Sequence, residues 1–256
     1  MKLLKKALIL SILLVILFTN LAVAKELSLT SPIRHSYPFL YWDGSQLKGM
    51  HIDIVRDALK NLGYDLEIEG LPLKRCLRQT NKGEADGIIS LPYDTNYTQL
   101  SFPPDAGEVA ESNWRIMQVD NVVVTYESDN YEFDGDVDSL PSPVRIIHGQ
   151  NILEKKLSGI DARIEKVKTN VQNFKKLMRD EKGVLITTTV TAENMYQDSR
   201  FEDMIRIHHR PVTSLSHHLA VAKSSDLTEA EQKKIWDEIA KLRKDYVYML
   251  QLYAQY

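Results

Sequence analysis

Three groups of side chains in this 256-residue chain have the chemistry to hold a small molecule. Tyr37, Phe39 and Tyr41, followed by Trp42, crowd one short loop, where an aromatic face offers a platform for an apolar or cationic ligand part. Packing of the same rings into their own core is the alternative. Arg75 stands after Pro72 and Lys74 at a loop-to-helix junction, placed either to meet an anionic ligand group or to share a solvated helix face with Arg78. Gly149-Gln150-Asn151 precedes a short helical pattern, where free backbone N–H groups favour a polar or anionic ligand group, unless Asn151 only caps the helix.

Other candidates for chemistry fall away on inspection. His208-His209 and His217-His218 suggest a metal, but adjacent residues on a strand face opposite ways and no Cys or carboxylate completes a ligand spacing. Ser214 and Ser216 lie near His217, yet no G-x-S-x-G nucleophile elbow occurs. No catalytic residue, metal or cofactor is therefore expected.

The elements that must position these groups are legible between Gly49 and Pro92. Ile52, Val55, Ala58, Leu59 and Leu62 repeat at helical spacing and Gly63 stops them; the alternating Leu66 to Glu69 reads as a strand. A second helix is predicted from Pro72, with Leu73, Cys76 and Leu77 on one face, ending at Gly83 before an apolar strand from Asp86 to Ser90. With a strand at Glu26 to Thr30 this makes a β-α-β-α-β unit, whose ligand would sit beyond the carboxyl ends of the strands. The loops there are Ser31 to Tyr41, Gly70 to Arg75, and Ser90 to Pro104, which adds Ser90 and Tyr93 to the candidate contacts.

The second half repeats the rhythm. Strands are predicted at Asn121 to Tyr126, Val144 to Ile147, Ala162 to Val167, Val184 to Thr187, Met204 to Ile207 and His217 to Ala222. Helices are predicted at Ile152 to Leu157, after the capping pair Thr169-Asn170, and at Val190 to Tyr196. A last one follows the Thr228/Glu231 capping box and runs on toward Tyr253. The acidic, turn-like Ser128 to Ser142 is either a linker or a surface excursion.

The order PFLYWDGSQLKG, HIDIVRDALKNLGYDLEIE, NKGEADGIIS and SFPPD resembles the periplasmic solute-binding proteins of the amino-acid-binding type, family 3, most clearly from Tyr37 to Pro104. The resemblance implies an α/β, two-lobed periplasmic-binding-protein-like fold of type II with a ligand cleft between lobes. Lobe one would take 25–116 and 213–256 and lobe two the inserted 117–212, with Ser128 to Ser142 a surface loop of lobe two. It implies a non-enzymatic protein that captures a small polar or charged solute by hinge closure, for ABC import or sensing. The implied partners are the solute and an ABC permease or a membrane sensor, with the protein a monomer. The family's arginine before its F-S segment is missing from Tyr93 to Phe102: alignment puts Asn96 or Thr98 there. Thr187, Thr188 and Thr189 stand where the family often has an aspartate, and Thr188 is the contact expected. Both departures point away from a simple zwitterionic amino acid.

An enzyme on the same scaffold, like the periplasmic cyclohexadienyl dehydratases, is one alternative; Asp43 and Asp94 are the only carboxylates in the predicted site loops and look like turn residues. A ligand-free protein-interaction module is another.

Residues 1–24 read as a cleaved secretory signal: Lys2, Lys5 and Lys6, an apolar run from Ala7 to Phe18, and Ala22-Val23-Ala24, with cleavage after Ala24. A membrane anchor is the alternative, though the run is short of the ~20 apolar residues a bilayer needs. The remainder would carry 29 basic against 35 acidic residues, a formal charge of −6, which gives no footprint for nucleic acid. The one cysteine, Cys76, cannot close an internal disulfide and is read as a buried structural thiol. The expected location is the periplasm.

Overall fold

The computed structural model describes residues 25–33 and 35–256; the expected signal lies outside the described residues. In the first half, β1 (Lys25–Pro32) leads through a small antiparallel sheet of β2 (His35–Ser36), β3 (Leu40–Trp42) and β4 (Leu47–Lys48) into α1 (Met50–Asn61). Then come β5 (Tyr64–Leu71), α2 (Leu73–Lys82), β6 (Gly87–Pro92) and β7 (Leu100–Ser101). The apolar stripe of α1 is fully buried from Met50 through Leu59, and Gly63, at φ 79°, turns the chain into β5.

The second half holds β8 (Met117–Tyr126), β9 (Val144–Ile147), α3 (Asn151–Lys156), β10 (Ile164–Val167), α4 (Asn170–Asp180), β11 (Val184–Thr188) and α5 (Thr189–Tyr196). The chain returns through β12 (Ile205–Ala222) to α6 (Glu229–Lys244) and α7 (Tyr246–Tyr253). The main sheet runs β10-β9-β11-β8-β12-β6-β1-β5, with β7 also on β12. Pairs β1·β5, β1·β6, β9·β10 and β9·β11 are parallel, so each half is a parallel α/β unit. Antiparallel β8 and β12 join the halves, β8 reaching β11 on one side and β12 reaching β6 on the other.

Two elements differ from their sequence reading. The segments read as separate strands, Met204 to Ile207 and His217 to Ala222, belong to one 18-residue strand, β12. Pro211 and the polar Thr213–Ser216 stretch hide its continuity in sequence, and extra residues are absorbed as bulges between His208 and Pro211 and between Pro211 and Thr213. The last helix does not run through: Asp245, at ψ 108°, ends α6 and restarts the chain as α7, accepting hydrogen bonds from the backbone of Val247 and Tyr248. The Thr228/Glu231 capping box is formed as read, and Cys76 is buried.

The cores follow the halves. One packs Leu27, Leu29, Ile52, Val55, Leu59, Ile235 and Ile239 between β1, α1 and α6; others gather Val144, Ile146, Val184 and Ile186, and Phe174, Leu177 and Phe201. Arg145 is fully buried on β9, where Nη2 meets Asp180 at 2.6 Å and Nη1 donates to the Lys182 carbonyl at 2.9 Å. These bonds tie β9 to the end of α4 and hold the frame that carries the loop at His148. No helix among the described residues is long and apolar enough to cross a membrane.

Candidate functional site

A cleft of about 370 Å³ opens at the carboxyl ends of the parallel strands, where an α/β unit leaves backbone groups free for a ligand. Its first wall comes from Ile33 and Ser36 after β1, Phe39, His51 in the first turn of α1, and Ser90 and Tyr97 at and after β6. Its second wall comes from the loop His148 to Ile152, Lys168 and Asn170 after β10, and Thr187, Thr188 and Thr191 at the β11–α5 junction. Asn121 of β8 and Thr213 and His217 of β12 form the floor.

Ser90 owes its place to a bulge. His218 pairs with Leu91 and Ala220 with Ile88, so Ile89 and Ser90 together oppose Leu219 alone, and Ser90 takes φ 64°. That twist turns its hydroxyl between two imidazoles: Oγ lies 2.7 Å from His51 Nδ1 and 3.2 Å from His217 Nδ1. His217 Nδ1 is also 3.2 Å from the Ser90 carbonyl oxygen, which only accepts. With its proton on Nδ1, His217 can donate to that carbonyl, and the Ser90 Oγ, which both donates and accepts, can pair with His51 in either tautomer. The His51 ring lies with its centroid 5.5 Å from that of Phe39.

Apart from Lys168 and His148, the second wall is neutral and internally bonded. Thr188 caps α5, its Oγ1 accepting from the Thr191 backbone at 3.3 Å and donating to Thr191 Oγ1 at 2.8 Å. Thr187 Oγ1 donates to Asn170 Oδ1 at 3.1 Å, and Asn121 Nδ2 to Thr213 Oγ1 at 2.9 Å. Glu154 receives the Gly149 N–H at 3.1 Å and fixes the loop; Lys166, 2.6 Å from the same carboxylate, holds its pKa below the usual range.

Of the residues singled out in the sequence, Phe39, Ser90, Gln150, Asn151 and Thr188 line this cleft. The other five stand elsewhere. Tyr37, 40% exposed, and Tyr41 pack on each other and on Tyr256, because the β2–β4 sheet turns the aromatic loop so that only Phe39 faces inward. Arg75 is exposed on α2, while Leu73 at the start of that helix takes the cleft position. Tyr93 packs edge-on against Phe102 at 5.3 Å. Asn96 closes a turn by donating twice to Asp94, and Asp43 likewise accepts from the backbones of Ser45 and Gln46.

Sequence reading passed over His51, Asn121, Lys168, Asn170, Thr213 and His217 as ligand contacts. Only for Lys168 and Asn170 was a signal present, since both follow a predicted strand's carboxyl end. The sequence around His217 raises only metal and triad chemistry; among the described residues no group of three or more His, Cys, Asp or Glu gathers as a metal cluster would.

No protein-family model matches the chain, and no curated protein matches it by sequence. Solved structures do match. The GluR0 ligand-binding core in complex with L-glutamate is 12% identical, covering 91% of this chain and 99% of its own, with TM-score 0.68. An ancestral amino-acid-binding protein described as a precursor of cyclohexadienyl dehydratase is 15% identical, covering 90% and 94%, with TM-score 0.61. The substrate-binding protein of an amino acid ABC transporter is 16% identical, covering 90% and 98%, with TM-score 0.59. At these identities the likeness shows the fold alone: a two-lobed α/β architecture, as the resemblance of the stretch from Tyr37 to Pro104 implies.

Proposed function

We propose that this chain is an exported solute-binding protein, which captures a small polar or charged solute between its halves and closes over it, for delivery to an ABC permease or presentation to a membrane sensor. The observation that carries this reading is the cleft itself. It holds about 370 Å³, its walls come from both halves, and two long strands, β8 and the bulged β12, join the halves beneath it. That arrangement suits hinge closure around a ligand. The cleft's room also weighs against a ligand-free interaction module. The fold's neighbours include an amino acid transporter's binding protein, which supports the transport side of the reading.

The test is a thermal-shift screen against amino acids, organic acids, sugars, polyamines and short peptides, with small-angle scattering on each hit. A solute at ~100 times its Kd should stabilise the protein by about 2.7 kcal/mol and raise Tm by several degrees, and the radius of gyration should fall as the halves close. A screen in which no compound moves Tm would sink the reading.

An enzymatic reading is supported by the neighbour described as a dehydratase precursor. No carboxylate stands among the described residues lining the cleft, so a general acid there would have to be a histidine, Lys168 or Tyr97, with His51 and His217 the pair set closest to Ser90. Release of an aromatic product from cyclohexadienyl acids would favour this reading over simple capture.

A further inference from the structure

We infer that the solute is a small hydroxylated carboxylate carrying no ammonium group. This rests on the binding reading above and names the chemistry of its ligand. Two independent observations lead to it, one of charge and one of hydrogen-bond balance.

Among the described residues that line the cleft there is no Asp or Glu, whereas Lys168, His51, His148 and His217 are all present. Near neutral pH the only charge these side chains can bring is positive, since the one acid among them, Tyr97, is a phenol, and phenols ionise only at pH ~10. A cleft lined by one sign of charge concentrates ligands of the other, and an ammonium group taken into it would lose its water without meeting a counter-ion. An anion would instead meet the Lys168 ammonium on the second wall and imidazole on the first.

The neutral groups ask for the opposite partner. Asn121 is 92% buried by its 8% exposure, one hydrogen of its amide nitrogen goes to Thr213, and its Oδ1 has no partner. Gln150 Oε1 likewise has none. The hydroxyl hydrogens of Thr187, Thr188 and Thr191 are committed to Asn170, Thr191 and the Tyr37 carbonyl, which leaves only oxygen lone pairs. A buried acceptor without a donor is costly, and the collar is rich in acceptors. Hydroxyl groups supply the missing hydrogens without bringing a positive charge, while Phe39, Ile33 and Ile152 cover the carbon skeleton.

The test uses matched pairs that differ only in hydroxyl against ammonium: L-malate and L-aspartate, L-glycerate and L-serine, L-lactate and L-alanine. D-glucose and putrescine stand for neutral and cationic solutes. Affinities are read by calorimetry at pH 7 on the purified protein. In each pair that binds, the hydroxy acid should bind at least tenfold more tightly. Lys168→Met should weaken it at least tenfold while leaving the Tm of the unliganded protein unchanged. An amino acid that binds as tightly as its hydroxy partner, binding by glucose or putrescine alone, or an unchanged affinity in Lys168→Met would overturn the inference and leave the binding reading standing. Binding by no compound here or in the broader screen would remove both.

Discussion

At the scale of single residues, β12 places two adjacent histidines in different surroundings. His217 joins Ser90 on the cleft floor, whereas His218 points to the other face, 1% exposed and edge-on to Phe102 at a centroid distance of 6.0 Å. Burial pushes its pKa from 6.5 down to about 4, with the nearby Asp105 charge opposing that and Arg115 adding to it. The folded chain thus refuses a proton that the unfolded chain accepts below 6.5. Unfolded molecules bind more protons between those two values, so stability must fall on acidification through that window, by up to about 3 kcal/mol from this group. Urea unfolding at pH 7 and pH 4.5 measures it. His218→Gln should be less stable than the parent at pH 7 but should lose markedly less between the two pH values. An equal loss in both proteins would show that His218 does not carry the effect.

At the scale of elements, the join between the aromatic loop and α1 is the tightest place near the cleft. Gly49 sits at φ 127°, and a Cβ there would lie 2.3 Å from the Phe39 carbonyl oxygen, an atom that also receives the His51 N–H. Gly49→Ala should therefore cost roughly 2–4 kcal/mol and weaken ligand binding as well, because Phe39 and His51 both line the cleft; a variant with parental Tm and affinity would sink this. Arg145 supports the opposite wall from beneath. Its partners Asp180 and Glu165 keep some exposure, so Arg145→Met should cost about 2–3 kcal/mol, below the range for breaking a wholly buried pair, as chemical denaturation would report.

These elements also show what the sequence could convey. The α1 stripe, the Gly63 and Gly83 stops and the Thr228 box are local signals, and each was legible. The cleft was legible only in part, since strand order names loops but not directions. Phe39 and Tyr41 are two residues apart in one loop, and only the β2–β4 sheet, too short to leave a periodic pattern, decides which of them faces the cleft. Asn121 and Thr213 meet across 92 residues through a strand that bulges disguise, and no spacing rule reaches that far.

At the scale of the molecule, the two halves share their sheet. Residues 117–120 of β8 pair with the middle of β12, residues 121–124 pair with β11 of the second half, and the far end of β12 pairs with β6 of the first. Neither half can unfold without stripping an edge from the strands that the other half needs, and the exposed ladder groups would be left unsatisfied. The chain is therefore expected to unfold in one transition although it has two lobes, with calorimetric and van't Hoff enthalpies equal. The bulges near Pro211 lie opposite Val122 and Val123, where β8 also pairs with β11, so they bend β12 within the second half and leave the ladder at the join, residues 117–120 against 214–217, unbroken. A bound solute should then raise the whole transition as a unit. Two resolved transitions, with only one moved by ligand, would mean that the joining strands act as passive linkers and that closure is not coupled to the stability of both halves.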